Sequence, residues 1–308
     1  MGAVLSSQKV VKPRLLVVGG TGLIGRGLTS YLRAQAPAVL VTSRSPGRLP
    51  GPFLRFDLAE PVWPALPNIS VAVICAAITR QSECRRDPAA TRHINVVQTL
   101  KLIRELIAAE TFVVFLSTNL VFDGCQPRQK PDAPLSPRTE YGRQKAEVER
   151  ALAQWPDRTA VIRLTKVFHP GLPLLQSWRQ DLCSGRPVTA FSDYVCSPID
   201  LRRVIPGIAR VALGRLPGVW QFSGPADISY AELAQSVARQ CGAAASCVRT
   251  VPAPPGFLEH LPAHTTLDAK RSRAGLNLDF PAPELVLTEC LTLAESSRAG
   301  TDKDGSAV

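Results

Sequence analysis

An apolar run that ends directly in glycines constrains this chain more than any other feature. Arg14-Leu15-Leu16-Val17-Val18 reads as a short strand, and Gly19-Gly20-Thr21-Gly22-Leu23-Ile24-Gly25 follows it without a gap. Leu23 to Gln35 then has helical periodicity. Glycines at a strand-to-helix turn permit a tight bend and let a pyrophosphate approach the backbone. The helix N-terminus offers that anion free amides and the positive end of a dipole. The spacing here is Gly-x-x-Gly-x-x-Gly. A glycine-rich turn without a ligand is the plainer alternative, and the strand before it and the helix after it weigh towards a nucleotide.

The rest of the first half repeats that alternation. Strand patterns cover 38–42, 53–56, 71–75, 112–117 and 159–164, and helical patterns cover 88–109 and 140–154. Pro88 suits the first position of its helix. Near-continuous apolar strands separated by helices imply a parallel sheet covered on both faces. The expected fold is therefore α/β, a Rossmann-type doubly wound parallel sheet. A smaller, mixed C-terminal substrate-binding lobe is expected to follow it.

Beyond about Leu164 prolines multiply and elements shorten. Ser229 and Glu232 form a capping box ahead of a helix over 231–240, and the proline-rich 251–262 reads as an ordered loop. The expected division is an N-terminal extension over 1–13, the nucleotide-binding domain over 14–165, mainly the substrate lobe over 166–295, and a disordered tail over 296–308.

The 308 residues carry a net charge of +11. The basic residues are scattered and no aromatics interleave them, so a solvated surface is expected and nucleic acid is not. No apolar stretch approaches the ~18 residues of a membrane span. Gly2 and Ser6 fit a myristoylation pattern too short to outweigh a plain extension. The eight cysteines show no Cys-x-x-Cys pair and no zinc spacing. Reduced, free thiols, no metal and a cytoplasmic setting are expected.

Two further motifs point to chemistry. Tyr141 and Lys145 lie four apart in Tyr-Gly-Arg-Gln-Lys, on one face of a helix. A nearby ammonium lowers a phenol's pKa from about 10, and such a phenol can exchange a proton with a carbonyl or alcohol. Ser117-Thr118-Asn119 ends the fifth strand, where ligands of open α/β sheets bind, so a hydroxyl there can meet the same oxygen. After the second strand Ser43 and Arg44 stand where an NAD site carries a carboxylate, which favours the 2′-phosphate of NADP over NAD. Asp57 is placed for the adenine. Cys75-Ala76-Ala77 ends its strand with small residues that let a flat ligand pass.

These residues resemble the extended short-chain dehydrogenase/reductase superfamily, and within it the dTDP-4-dehydrorhamnose reductases. The matching segments are GGTGLIG, CAAITRQSECRRDPAATRHIN, STNLVFDG, SPRTEYGRQKAE and IRLTKVF, with weaker echoes in FSDYVCSPIDL and HTTLDAKRSRAGL. The resemblance implies Thr118, Tyr141 and Lys145 as catalytic residues. It implies a cofactor groove shaped by Gly19, Gly22, Leu23, Ile24, Gly25, Arg44, Asp57, Leu58, Ala76, Ala77 and Asn95, with Lys145 on the nicotinamide ribose. The implied reaction is NADP-dependent reduction of a keto group on a nucleotide-linked 4-keto-6-deoxy sugar, with Tyr141 as proton donor. The expected partner is that small molecule, and a homodimer is compatible with the resemblance.

Departures from the family pattern narrow this. The related dehydratases carry Thr-Asp-Glu where this chain has Thr118-Asn119-Leu120, so water elimination is disfavoured. Ser82 and Arg85 stand where the reductases usually have an Asp and a Glu, and the segment around Ser197, Pro198 and Asp200 is altered. Arg163, Lys166 and His169 follow the sixth strand as candidate diphosphate contacts, with plain surface exposure as the alternative. The competing expectations are a sugar-nucleotide epimerase and a non-catalytic NAD(P)-binding regulatory subunit.

Overall fold

The computed structural model describes residues 14–35, 38–44, 51 and 53–301. The N-terminal extension, its Gly2 and Ser6, and residues 302–308 lie outside them. The first half contributes β1 (Leu15–Val18), α1 (Leu23–Gln35), β2 (Val39–Ser43), β3 (Phe53–Arg55), β4 (Val71–Ile74) and α2 (Gln81–Arg86). It continues through α3 (Pro88–Arg92), α4 (Thr99–Ala108), β5 (Phe112–Thr118), α5 (Glu140–Leu152) and β6 (Thr159–Leu164). The second half adds β7 (Lys166–Phe168), α6 (Pro173–Cys183), β8 (Val188–Phe191), β9 (Val195–Cys196), β10 (Pro198–Asp200) and α7 (Leu201–Leu213). It closes with β11 (Gly218–Phe222), β12 (Ile228–Ser229), α8 (Tyr230–Gln240), β13 (Val248–Val251), α9 (Lys270–Leu276) and α10 (Pro283–Thr301).

Seven parallel strands form the central sheet in the order β11-β6-β5-β4-β1-β2-β3. Side chains alternate along each strand, so one sequence feeds two cores. On one face Val17, Val41, Val73 and Val114 meet Leu28 and Leu32 of α1 and Val204 and Ile208 of α7. On the other, Leu16, Ala72, Ile74 and Phe115 meet Leu102 and Ile103 of α4 and Val148 of α5. Burying each such side chain stabilises by about 1.5–3 kcal/mol, which is why β1 and β4 at the centre of the sheet are wholly apolar. The sheet order reverses between β1 and β4, and a doubly wound sheet opens its crevice beyond the strand ends at that point.

The sequence reading located six of the seven strands. The seventh, β11, comes from the looser second half, and α7 from that half also covers the sheet. The chain therefore returns to the nucleotide-binding sheet after residue 165. The lobe itself has a separate core in which Trp178 and Leu182 of α6, Leu233 and Val237 of α8, and Val286 and Leu287 of α10 pack together. Its strands form only two-stranded pairs, β10 with β7, β12 with β9 and β13 with β8.

Two local expectations are modified and a third is met. The helix expected over 88–109 is divided, with a π-helical turn at His93–Gln98 between α3 and α4. Such turns insert a residue and re-aim the side chains around it. Helix α10 continues to Thr301, six residues into the expected disordered tail. The capping box is present, with Ser229 and Glu232 each bonding the other's backbone amide.

Candidate functional site

The glycine loop joins β1 to α1 at the reversal point. Gly19 has φ of +86°, a left-handed conformation that favours glycine. A Cβ on Gly25 would lie 2.2 Å from Gly19 O, so the helix start presses on the turn. Gly22 differs, because a Cβ there would meet nothing nearer than Gly19 O at 3.5 Å. Protein packing requires glycine at position 25, and open space lies beside position 22. The loop is fixed from the neighbouring strand: Gly19 N donates to Thr42 Oγ1 at 3.1 Å and Gly20 N to Thr42 O at 2.9 Å.

Beside that loop lies a groove of about 370 Å³. Gly19 and Gly22 form one end, Arg44, Asp57 and Leu58 another wall, and Ala76 and Ala77 the floor past β4. Seven of the residues expected at a cofactor groove thus line one cavity. Cys75 lines it as expected, and Thr42, Phe56, Ile78 and Ile94 line it too and were not anticipated. Ser43 is buried and is not among its lining residues. Asp57 accepts Ala59 N at 3.0 Å, and its carbonyl receives Trp63 Nε1 at 2.9 Å. Asn95 acts from behind the groove: buried in the π-helical turn, it bonds both Ile78 N and Ile78 O and donates to Gln144. It holds the loop past β4 in place.

A second cavity, of about 400 Å³, opens on the other side of the glycine loop, with Leu23 and Thr79 in its wall. Thr118, Asn119, Leu120 and Tyr141 line its sheet side. Thr139 caps α5 through Gly142 N at 3.1 Å, which sets Tyr141 in the first turn facing the end of β5. The lobe supplies the opposite wall with Lys166, Tyr194, Tyr230, Leu258, His260 and Thr265. Tyr194 and Tyr230 stack with centroids 4.1 Å apart and planes 4° apart. No Asp or Glu among the described residues lines this cavity.

The proline-rich loop after β13 reaches the start of α5. Glu259 accepts Glu140 N at 2.8 Å and Arg143 Nη2 at 2.7 Å, so it caps the N-terminus of α5 from 119 residues away. His260 bonds Asp123 O at 2.7 Å.

Lys145 is 4% exposed, and its Nζ donates to Leu116 O at 2.8 Å. That Nζ lies 5.8 Å from the Tyr141 ring centroid. Burial pushes Lys145 down to about 8, opposed by the nearby Glu149 carboxylate. Burial likewise pushes the Tyr141 phenol up, helped by Cys84. This corrects the expectation that Lys145 lowers the phenol's pKa. Here one donor of the ammonium holds a backbone carbonyl and Lys145 lines neither cavity, while Tyr141 is held as an acid.

The diphosphate candidates are also revised. Arg163 is buried against Glu149 and does not face either cavity. Lys166 does line the second cavity, whereas His169 accepts Gly171 N at 3.1 Å away from it. Ser117 turns from the cavity to Glu149, leaving Thr118 as the hydroxyl on the site. Ser82 and Arg85 lie in a shallow exposed hollow with Arg80, Glu83 and Arg86. All eight cysteines are free thiols, and the described residues contain no group of three or more metal-ligating side chains. No described helix is long and apolar enough to cross a membrane.

Comparison with known proteins gives a consistent family. The profile of the RmlD substrate binding domain matches residues 13–294. The chain is 25% identical over 311 residues to the dTDP-4-dehydrorhamnose reductase of Mycolicibacterium smegmatis, covering 96% of this chain and 89% of that protein. It is 29% identical over 157 residues to methionine adenosyltransferase 2 subunit beta of Xenopus tropicalis, covering 50% of this chain and 47% of that one. Several curated relatives are matched in this way over only about half their own length. The structure of the dTDP-4-dehydrorhamnose reductase of Bacillus anthracis, in complex with NADP, shares the fold. Its TM-score is 0.77 at 16% identity, over 91% of this chain and 98% of that one.

Proposed function

Because the chain belongs to the RmlD substrate binding domain family, we propose that it is an NADP-dependent oxidoreductase reducing a keto group of a nucleotide-linked sugar. One observation carries this reading. The groove beside the glycines and a pocket holding Thr118 and Tyr141 meet at the glycine loop, with Gly22 and Leu23 on either side. The groove fits such a cofactor: open space at Gly22, an exposed Arg44 and a floor of two alanines leave room for a phosphate-bearing, flat ligand. Gly19 to Gly25 would hold the pyrophosphate, Asp57 and Leu58 the adenine end, Arg44 the 2′-phosphate, and Lys145 the nicotinamide ribose. Bound there, the nicotinamide supplies the hydride.

The chain's own part is orientation and proton supply. Tyr141, kept protonated by burial, donates its proton to the carbonyl oxygen as that oxygen gains charge. Thr118 gives the same oxygen a second hydrogen bond. The Tyr194 and Tyr230 stack offers a flat wall to the substrate, and Lys166 faces the pocket as an exposed cation for its phosphates. Water elimination needs an acid and a base in the pocket, and no Asp or Glu among the described residues lines it. This supports simple reduction.

The test is NADPH consumption against a panel of keto-sugar nucleotides, with NADH in parallel. Turnover of at least one member, faster with NADPH, is the expected result. The similarity to the methionine adenosyltransferase subunit favours a second reading, a nucleotide-binding regulatory subunit. NADPH binding without turnover of any panel member would favour it.

A further inference from the structure

Glu149 and Arg163 form an ion pair that the proposed reaction leaves without a role, although it adjoins the site. Both side chains are 4% exposed, and Arg163 Nη2 meets Glu149 Oε2 at 2.7 Å. Arg163 Nε donates to both carboxylate oxygens, at 3.2 and 3.1 Å. Its Nη1 donates to Pro131 O at 2.9 Å and Gln221 Oε1 at 3.1 Å. Ser117, one residue before Thr118, donates its hydroxyl to Glu149 Oε1. Burying a charge costs several kcal/mol per ion, and an apolar pair of similar volume often serves stability as well. Stability alone therefore gives weak reason for charges here.

Their position gives a better one. Tyr141, Lys145 and Glu149 stand at i, i+4 and i+8 on one face of α5. The groups facing Lys145 come from several elements. Tyr141 and Glu149 lie on α5, Cys75 follows β4, Cys84 lies on α2, and β5 contributes Leu116 O and the Phe115 ring. Arg163 of β6 lies beyond Glu149. Among these groups Glu149 supplies the carboxylate. Lys145 and Glu149 also tie α5 to consecutive residues of β5, Leu116 and Ser117, immediately before Thr118.

We propose that Glu149 is a positioning residue of this site: clamped by Arg163 and Ser117, it fixes the end of β5 to α5 and holds a carboxylate one helical turn from Lys145. Glu149 touches no ligand and acts through Lys145. Burial works against the ammonium, and Glu149 opposes that loss. The proposal rests on the reading above only in assigning Lys145 to the cofactor.

The experiment follows Lys145 directly. In the full chain labelled with ¹³C at lysine Cε, each lysine shift follows its protonation, and Lys145→Arg identifies the resonance by its loss. The wild-type midpoint is expected at about 8. Glu149→Gln lowers it by about one unit or more, and Glu149→Asp restores most of the difference. If the orphaned Arg163 charge prevents Glu149→Gln from folding, Glu149→Gln/Arg163→Met removes that charge as well and carries a smaller downward shift, because the lost cation had itself opposed the ammonium. A midpoint unmoved in the folded variant would overturn the proposal. NADPH affinity measured across the same pH range loses its alkaline limb at lower pH in Glu149→Gln. A wild type that binds no NADPH counts against the proposed function, while the Lys145 titration still decides the role of Glu149.

Discussion

The groove and the pocket open at one edge of one sheet, yet they are made of different parts. The groove is built on small residues at fixed spacing: the glycine loop after β1 and two alanines after β4, walled by Arg44, Asp57 and Leu58 from the turns after β2 and β3. The pocket is side chain: Thr118 and Tyr141 from the sheet side face Lys166, Tyr194, Tyr230 and His260 from four separate segments of the lobe. A ligand held by backbone demands small residues at fixed spacing. A ligand held by side chains demands only that distant segments meet.

The largest expected effect separates the two regions. Tyr141→Phe removes the proton donor from the pocket and nothing from the groove, so turnover falls about 10²–10⁴-fold. NADPH affinity, measured by fluorescence titration, stays at the wild-type value. A parallel loss of cofactor affinity would break the separation.

The glycines sharpen it from the groove side. Gly25→Ala forces a Cβ against Gly19 O and lowers the melting temperature, with a loss of about 1–3 kcal/mol. Gly22→Ala meets open space, so the melt is unchanged. Its NADPH affinity falls about tenfold, equivalent to about 1.4 kcal/mol. Equal losses of stability in both would mean that position 22 serves packing.

Lys145 links the two regions through pH. Its folded value of about 8 lies below the ordinary 10.5, so between these values the unfolded chain holds a proton that the folded chain has shed. Stability from this group therefore rises with pH across that window. NADPH affinity moves the other way, declining as the ammonium is lost through about pH 8. Denaturant melts and titrations at matched pH check both signs, and Lys145→Met abolishes both dependences.

The smallest effect concerns the loop that bridges the regions. Glu259→Gln weakens the cap on α5 and the pairing to the half-exposed Arg143. Substrate KM rises about two- to fivefold with kcat nearly constant, because a partly solvated pair is worth little. Steady-state kinetics separate the two constants.

The same contrast explains what the sequence disclosed. The glycine turn, the alanines past β4 and the Tyr141 and Lys145 pair were legible because helix and strand periods fix their neighbours. Tyr194 lay in a segment with only a weak family echo, and Tyr230 and His260 left no sign, since nothing periodic connects the turn before β9, the start of α8 and a proline-rich loop. Arg163 was misplaced among phosphate contacts because its burial depends on Glu149, a residue of another element. The Tyr141 shift had the wrong sign because helical spacing gives proximity, whereas burial and the Leu116 carbonyl decide where the charge goes. Strand β11 was missed because it follows the irregular stretch of the second half.

Isotope transfer tests the central claim most directly. NADPH deuterated at the transferring C4 position is incubated with a keto-sugar nucleotide that the protein consumes, and the product is read by mass spectrometry. One deuterium is expected on the new carbinol carbon for each NADP formed, in the wild type and in the far smaller yield from Tyr141→Phe. A rearranged sugar without deuterium, formed with no net loss of NADPH, would contradict it.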